Sequence, residues 1–129
     1  MTHLSEKQAR ELLGDKYPEK KHKYNAQKTV VDGITFDSQR EADYYCELKL
    51  RVQAGELTGF DLQPEFLLQP GFKHNGKSYR EIKYRADFRL YHKDGQIEIV
   101  DVKGHRTKEY QIKKKLLLKK YPEMWFTEI

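Results

Sequence analysis

Two aspartates and a lysine stand at spacings that suit metal-assisted phosphoryl chemistry. Asp87 lies near the start of YRADFRLYHKDGQIEIVDVKG, and Asp101 and Lys103 lie at its far end. Carboxylates are hard oxygen ligands for a divalent cation, and residues two apart on a strand share a face. Whether the two acids meet depends on the turn at Asp94-Gly95. A two-residue loop would pair His92 with Ile97 and put Asp87 and Asp101 on opposite faces. A three-residue loop, Lys93-Asp94-Gly95, places Gly95 at the left-handed position of a bulge. It pairs His92 with Gln96, Leu90 with Glu98 and Phe88 with Val100. Asp87 then stands opposite Asp101, and Arg85 opposite Lys103. The three-residue loop is favoured because Ala86, Phe88, Val100 and Val102 share one face and the polar trio shares the other. Leu90 against Glu98 is its weakest pair.

Carboxylates directly opposite in a ladder have Cβ atoms roughly 5 Å apart, and like charges there are destabilising. A cation must offset them. Mg²⁺, with oxygen ligands at about 2.0–2.1 Å and several retained waters, satisfies that geometry. The alternative is a surface network in which Arg85, Arg89 and Lys103 merely neutralise the acids. The pattern acid-x-Lys occurs four times, as Glu19–Lys21, Glu47–Lys49, Glu81–Lys83 and Asp101–Lys103, so the tripeptide alone says little. Only Asp101–Lys103 ends an apolar strand, has an acid opposite it, and is followed by glycine and a helix.

The elements that must hold this hairpin can be read on either side of it. Residues 2–13 suit a short helix with Ser5 as its cap, and residues 14–28 read as a charged linker. That linker is either a solvated leader or a basic arm that tracks phosphates. TVV-DG-ITF predicts a small hairpin turning at Asp32-Gly33. DSQREADYYCELKLRVQAG predicts a helix, with Ser38 as N-cap, Glu41 completing a capping box and Gly55 at the stop. Tyr45, Leu48 and Val52 form its inward stripe, and Glu41 begins that stripe. Strands follow at about 59–68, 79–91 and 96–103, with Pro64 marking an irregularity in the first. A second helix over 108–120 uses Thr107 as cap, packs through Tyr110, Ile112, Leu116 and Leu117, and ends before Pro122. MWFTEI closes the chain as a strand, parallel to the third across a long crossover. The predicted fold is α/β, with the order α-β-β-β-α-β around a small mixed sheet.

Bulk properties agree with one domain. The 129 residues carry 25 Lys and Arg against 20 Asp and Glu, a net charge of +5 that favours a polyanionic partner. Nine Tyr, six Phe and one Trp supply apolar bulk for a core. The single cysteine, Cys46, excludes a disulfide framework and a cysteine-rich zinc site, and makes a reducing, intracellular setting the expectation. No basic-then-apolar leader and no membrane-length apolar run is present.

Asp87, Asp101-Val102-Lys103 and the preceding helical Glu41 resemble the active-site pattern of the PD-(D/E)XK nuclease superfamily. FDSQREADYYCELKL, LQPEFLLQP, YRADF and VDVKG are similar to small phage and prophage endonucleases, related in fold to archaeal Holliday-junction resolvases. Two departures stand out: Ala86-Asp87 replaces the usual Pro-Asp, and Asp101 replaces the commoner Glu. The resemblance implies a restriction-endonuclease-like core over residues 29–129, behind the helix and basic linker of 1–28. It further implies Mg²⁺-dependent hydrolysis of DNA, with Mn²⁺ as a substitute. The setting would be phage DNA recombination or processing in the cytoplasm of a bacterial host, with branched DNA as the sharper substrate. Asp87 and Asp101 would hold the ion with the Val102 carbonyl, and Lys103 would act on the attacking water or the scissile phosphate. Glu41 would complete the site, a role that conflicts with folding back onto its own cap.

Beside the catalytic set, Lys108, Gln111 and Lys114 on the second helix are candidate DNA contacts, with His105 between strand and helix and Gln63 before Pro64. A resolvase must make paired nicks, which points to a homodimer. Two other classes remain open: a non-catalytic DNA-binding module on the nuclease fold, and a subunit of a larger DNA-processing complex.

Overall fold

The structure is a computed structural model that describes residues 28–102 and 107–129. The expected N-terminal helix and all but the last residue of the basic linker lie outside the described residues, as do Lys103 and His105.

Strands β1 (Thr29–Val31) and β2 (Ile34–Phe36) form the expected hairpin. Asp32 and Gly33 adopt φ of 53° and 76°, the left-handed pair that a tight two-residue turn demands. Asp32 also clamps this turn to the first helix. Its carboxylate accepts from Lys49 Nζ at 2.6 Å and Tyr45 Oη at 2.9 Å, and those bonds hold its pKa below the usual range.

Helix α1 (Gln39–Gln53) starts where predicted, with Ser38 Oγ accepting from the Glu41 N–H at 3.2 Å. It ends in a Schellman motif: Gly55 N–H donates to the Val52 carbonyl, and Glu56 N–H to that of Arg51. Gly55 takes φ 82°, which a side chain would oppose. Ala42, Tyr45 and Leu48 are buried along one face, at helical spacing.

The long strands expected at 59–68 and 79–91 are both interrupted. They resolve into β3 (Leu57–Leu62), β4 (Glu65–Gln69), β7 (Ile82–Arg85) and β8 (Phe88–His92). The breaks at Gln63-Pro64 and Ala86-Asp87 face each other without a slip in register, since Leu62 pairs with Phe88 and Glu65 with Arg85. Gln63 N–H donates to the Asp87 carbonyl and Ala86 N–H to that of Pro64, so the ribbon stays bonded through the break. Pro64 has no N–H to give, and Gln63 beside it takes φ 52°. Between β4 and β7 the chain adds an unforeseen hairpin, β5 (Phe72–His74) and β6 (Lys77–Tyr79), turning at Asn75-Gly76.

β9 (Ile97–Asp101) completes the central hairpin, helix α2 (Lys108–Lys120) crosses over, and β10 (Trp125–Glu128) returns parallel to β9. The main sheet has the order β10-β9-β8-β3, antiparallel except at β10–β9. The described chain is thus mixed α/β, with two helices and several small sheets.

One face of the sheet gives Phe88, Leu90, Val100 and Val102 to a core with Phe36, Ala42, Tyr45, Leu48 and Leu57. A second core joins Tyr84, Ala86 and Ile99 to Leu117 of α2. Ala86 therefore does not share a face with Phe88 as expected, because the break beside Asp87 interrupts the strand's alternation. The packing surface of α2 also needs correction: Leu117 is buried and Tyr110 half-buried, but Ile112 and Leu116 stay exposed.

Candidate active site

The central hairpin adopts the three-residue loop. Phe88 pairs with Val100, Leu90 with Glu98 and Tyr91 with Ile97. His92 N–H donates to the Gln96 carbonyl at 2.9 Å, and Gly95 holds φ 92°. Leu90 against Glu98, the weakest pair on paper, is retained because buried Glu98 is satisfied. It bonds His92 Nε2 at 2.8 Å and accepts from Thr127 Oγ1 at 2.6 Å.

This register brings the two acids together. Asp87 N–H donates to Asp101 Oδ1 at 3.0 Å, and Val102 N–H donates to Asp87 Oδ2 at 2.7 Å. Each carboxylate is thus fixed by a backbone N–H next to the other. Asp101 is 0% exposed, whereas Asp87 is half-buried, so one acid is sealed into the sheet and its neighbour is partly open to solvent. Asp101 owes its position to strand β9, and Asp87 to the break that ends β7 and begins β8.

The neutralising-network alternative loses two of its three members. Arg89 is engaged with Asp61 through Nε and Nη2, both at 3.0 Å. Hydrogen bonds from Tyr91 and Arg89 in turn hold the Asp61 carboxyl below its ordinary pKa. Arg85 is exposed and makes no ion pair among the described residues. Lys103 lies outside the described residues.

The donor set fits Mg²⁺. A carboxylate has two oxygens and about four lone-pair sites, so one backbone hydrogen bond leaves capacity for a cation. Mg²⁺ commonly takes one or two carboxylates and keeps waters. Among the described residues no His, Cys, Asp or Glu group of three or more converges, so the meeting is of two acids. Glu41 sits half-buried at the third position of α1, with its N–H taken by Ser38.

The remaining candidates are distributed around this pair. Gln63 is exposed and its backbone bonds Asp87, which brings it to the site from β3. Lys108 and Gln111 are exposed on the first turns of α2, whose N-cap Thr107 accepts from Tyr110 N–H at 3.0 Å. Lys114 departs from expectation: its ammonium bonds Glu128 and lies 5.7 Å from the centre of the Phe126 ring. Glu128 pairs in register with Asp101 and also accepts from Tyr110 Oη at 2.5 Å. A third carboxylate thus borders the pair, held by its own partners. The sequence signal for it was weak, because it depends on the register of a parallel crossover.

A shallow cleft lies between β7 and α2, lined by Glu65, Lys83, Tyr84 and Arg85 on one side and by Thr107, Glu109, Tyr110 and Lys113 on the other. Its lysines are paired, Lys83 with Glu65 and Lys113 with Glu109. The β7 wall leads to the pair, since β7 ends two residues before Asp87.

The sequence profile of a family described as "Protein of unknown function (DUF1064)" matches residues 21–129, and the chain belongs to that family. No curated protein matches the chain, and no solved structure does.

Proposed function

We propose that this DUF1064 member is a Mg²⁺-dependent DNA endonuclease with a restriction-endonuclease-like core, acting in phage DNA recombination or processing. The observation that carries the reading is the reciprocal Asp87–Asp101 pair, two hard-oxygen ligands locked by backbone N–H groups. The element order supports it when β3–β4 and β7–β8 are each read as one interrupted strand and β5–β6 as an insertion. The part from α1 to β10 then runs α-β-β-β-α-β, with the acids at the ends of a central hairpin. The sequence pattern around Lys103 supports it too.

The proposed division of labour follows from position. Asp87 and Asp101, with the Val102 carbonyl, hold the cation; Mn²⁺ substitutes for it. When bound, the ion supplies Lewis-acid chemistry, acidifying water and offsetting charge that builds on the phosphoryl oxygens. Lys103 orients the attacking water or donates to the scissile phosphate. Glu41 acts at the margin through an intervening water. Lys108, Gln111, His105 and Gln63 position the DNA backbone. In the reaction a water oxygen forms a new bond to phosphorus, one sugar P–O bond breaks, and the water proton ends on the leaving oxygen.

The test offers purified protein linear duplex, single-stranded, flap and four-way-junction DNA with Mg²⁺ or EDTA, beside Asp101→Asn. Asparagine keeps an oxygen for the Asp87 N–H but loses the charge. Metal-dependent cutting should fall at least about 100-fold, beyond the loss typical of disturbing a ligand's supporting partner. Absence of metal-dependent cutting by the native chain on every substrate overturns the enzyme reading and leaves a binding module or complex subunit. Undiminished cutting by the variant overturns the site assignment.

A further inference from the structure

We propose that the β5–β6 hairpin is a DNA-engaging arm that enters a groove of duplex substrate and contacts phosphates on both sides of it. The inference rests on the nuclease reading for the identity of its polyanion, but on separate residues and geometry.

The arm stands clear of the body. Every residue from Gln69 to Glu81 is exposed, and the hairpin contributes nothing to either core. It is nonetheless built to a definite shape. Asn75 and Gly76 take φ of 50° and 78°, a tight turn, and Phe72 stacks on Tyr79 across the strands at 4.9 Å and 12°. At its base, a side chain on Gly71 would lie 3.1 Å from the Tyr79 carbonyl oxygen, so glycine allows the strands to close there. An isolated two-stranded ribbon is marginal in water. This one is held by its turn, its ring stack and its continuity with β4–β7.

Its charge is of one sign and, unlike that of several cations of the body, is paired with no carboxylate among the described residues. From Pro70 to Arg80 the sequence contains Lys73, His74, Lys77 and Arg80 and no acid. Lys49, Arg51, Lys83, Arg89, Lys113 and Lys114 all pair with carboxylates. Lys73, Lys77 and Arg80 pair with none among the described residues; Lys77 has only the Tyr79 ring, at 5.4 Å. Lys73 and Ser78 pair in register, as do His74 and Lys77, so successive positions put cations on both faces of the ribbon.

Size agrees with a duplex groove. A two-stranded ribbon fits the major groove, about 12 Å wide and 8.5 Å deep, and the three residues of each strand reach roughly 10 Å. Arg80 lies seven residues before Asp87, at most about 23 Å of strand, which is less than one duplex turn of about 34 Å. An arm seated in the groove therefore leaves the acids over the same turn of DNA. Exposed lysines also guard strand edges against aggregation, but that function needs no particular salt dependence of DNA binding.

The experiment measures anisotropy of a labelled duplex about three turns long, in EDTA, with the full chain across ~50–200 mM salt. The triple variant Lys73→Ala, Lys77→Ala, Arg80→Ala should lower the slope of log K against log salt by about 2–3, near 0.9 per phosphate contact. Binding should weaken for all duplex sequences alike. Lys73→Arg with Lys77→Arg should retain the native slope, and Lys93→Ala in the β8–β9 turn should not alter it. Native slope and affinity in the triple variant overturn the proposal. So does a native chain that binds anionic phospholipid vesicles through these residues but not duplex DNA. Cutting assays keep the two readings apart. Arm-dependent binding without metal-dependent cutting defeats the nuclease alone, and cutting with an indifferent arm defeats the arm alone.

Discussion

Gln63 holds φ 52° with its backbone bonded to Asp87, in a region that an L side chain enters at a cost of about 1–2 kcal/mol. Glycine would remove that strain and add roughly 0.5–1 kcal/mol of unfolded-state entropy to be overcome. Urea denaturation of Gln63→Gly should therefore show stability unchanged or raised by up to about 1.5 kcal/mol. DNA cutting should fall several-fold, because the exposed side chain is lost from the edge of the site. Unchanged cutting would reduce Gln63 to a backbone hinge. At this scale the acids were legible because alternation and one glycine set their register. The partner of Lys114 was not: Lys114 lies on α2 and Glu128 on β10, and only tertiary packing brings the two charges together.

The β8–β9 turn is the element on which the site depends. Gly95 takes φ 92°, and His92 accepts its N–H at 3.0 Å to close the loop. Gly95→Ala should cost about 1–2 kcal/mol in urea denaturation, with cutting reduced further than partial unfolding explains if the register shifts. A fully stable variant would mean that the hairpin, not the turn, sets the register. Ser38, Gly55, Thr107 and Asp94-Gly95 could be read directly because each acts through local backbone chemistry. The interruptions at Gln63-Pro64 and Ala86-Asp87 were only half legible. Pro64 announced the first, whereas the second is imposed by the partner strand across from it. The β5–β6 arm had a plain Asn-Gly signal, but its flanks lack the apolar alternation that marks a buried strand, and an arm without a core to fill leaves little pattern.

At the largest scale, the described residues form two modest cores on opposite faces of one four-stranded sheet, and Asp101 is sealed into that sheet beside Asp87. Two carboxylates packed so closely set folding against their mutual repulsion, so a cation that binds only the folded chain should strengthen the entire structure. With Mg²⁺ at about 100 times its dissociation constant, the linkage is worth roughly 2.7 kcal/mol. For a chain of this length, that corresponds to a rise in Tm of roughly 8–13 °C over the EDTA state. Asp101→Asn should lose most of the rise. The triple arm variant should keep it in full, because Lys73, Lys77 and Arg80 lie outside both cores and away from the acids. Calorimetry on the three proteins thus asks whether the acids form a cation site without requiring any substrate. A native chain with the same Tm in Mg²⁺, Mn²⁺ and EDTA would leave the paired acids as a purely structural feature.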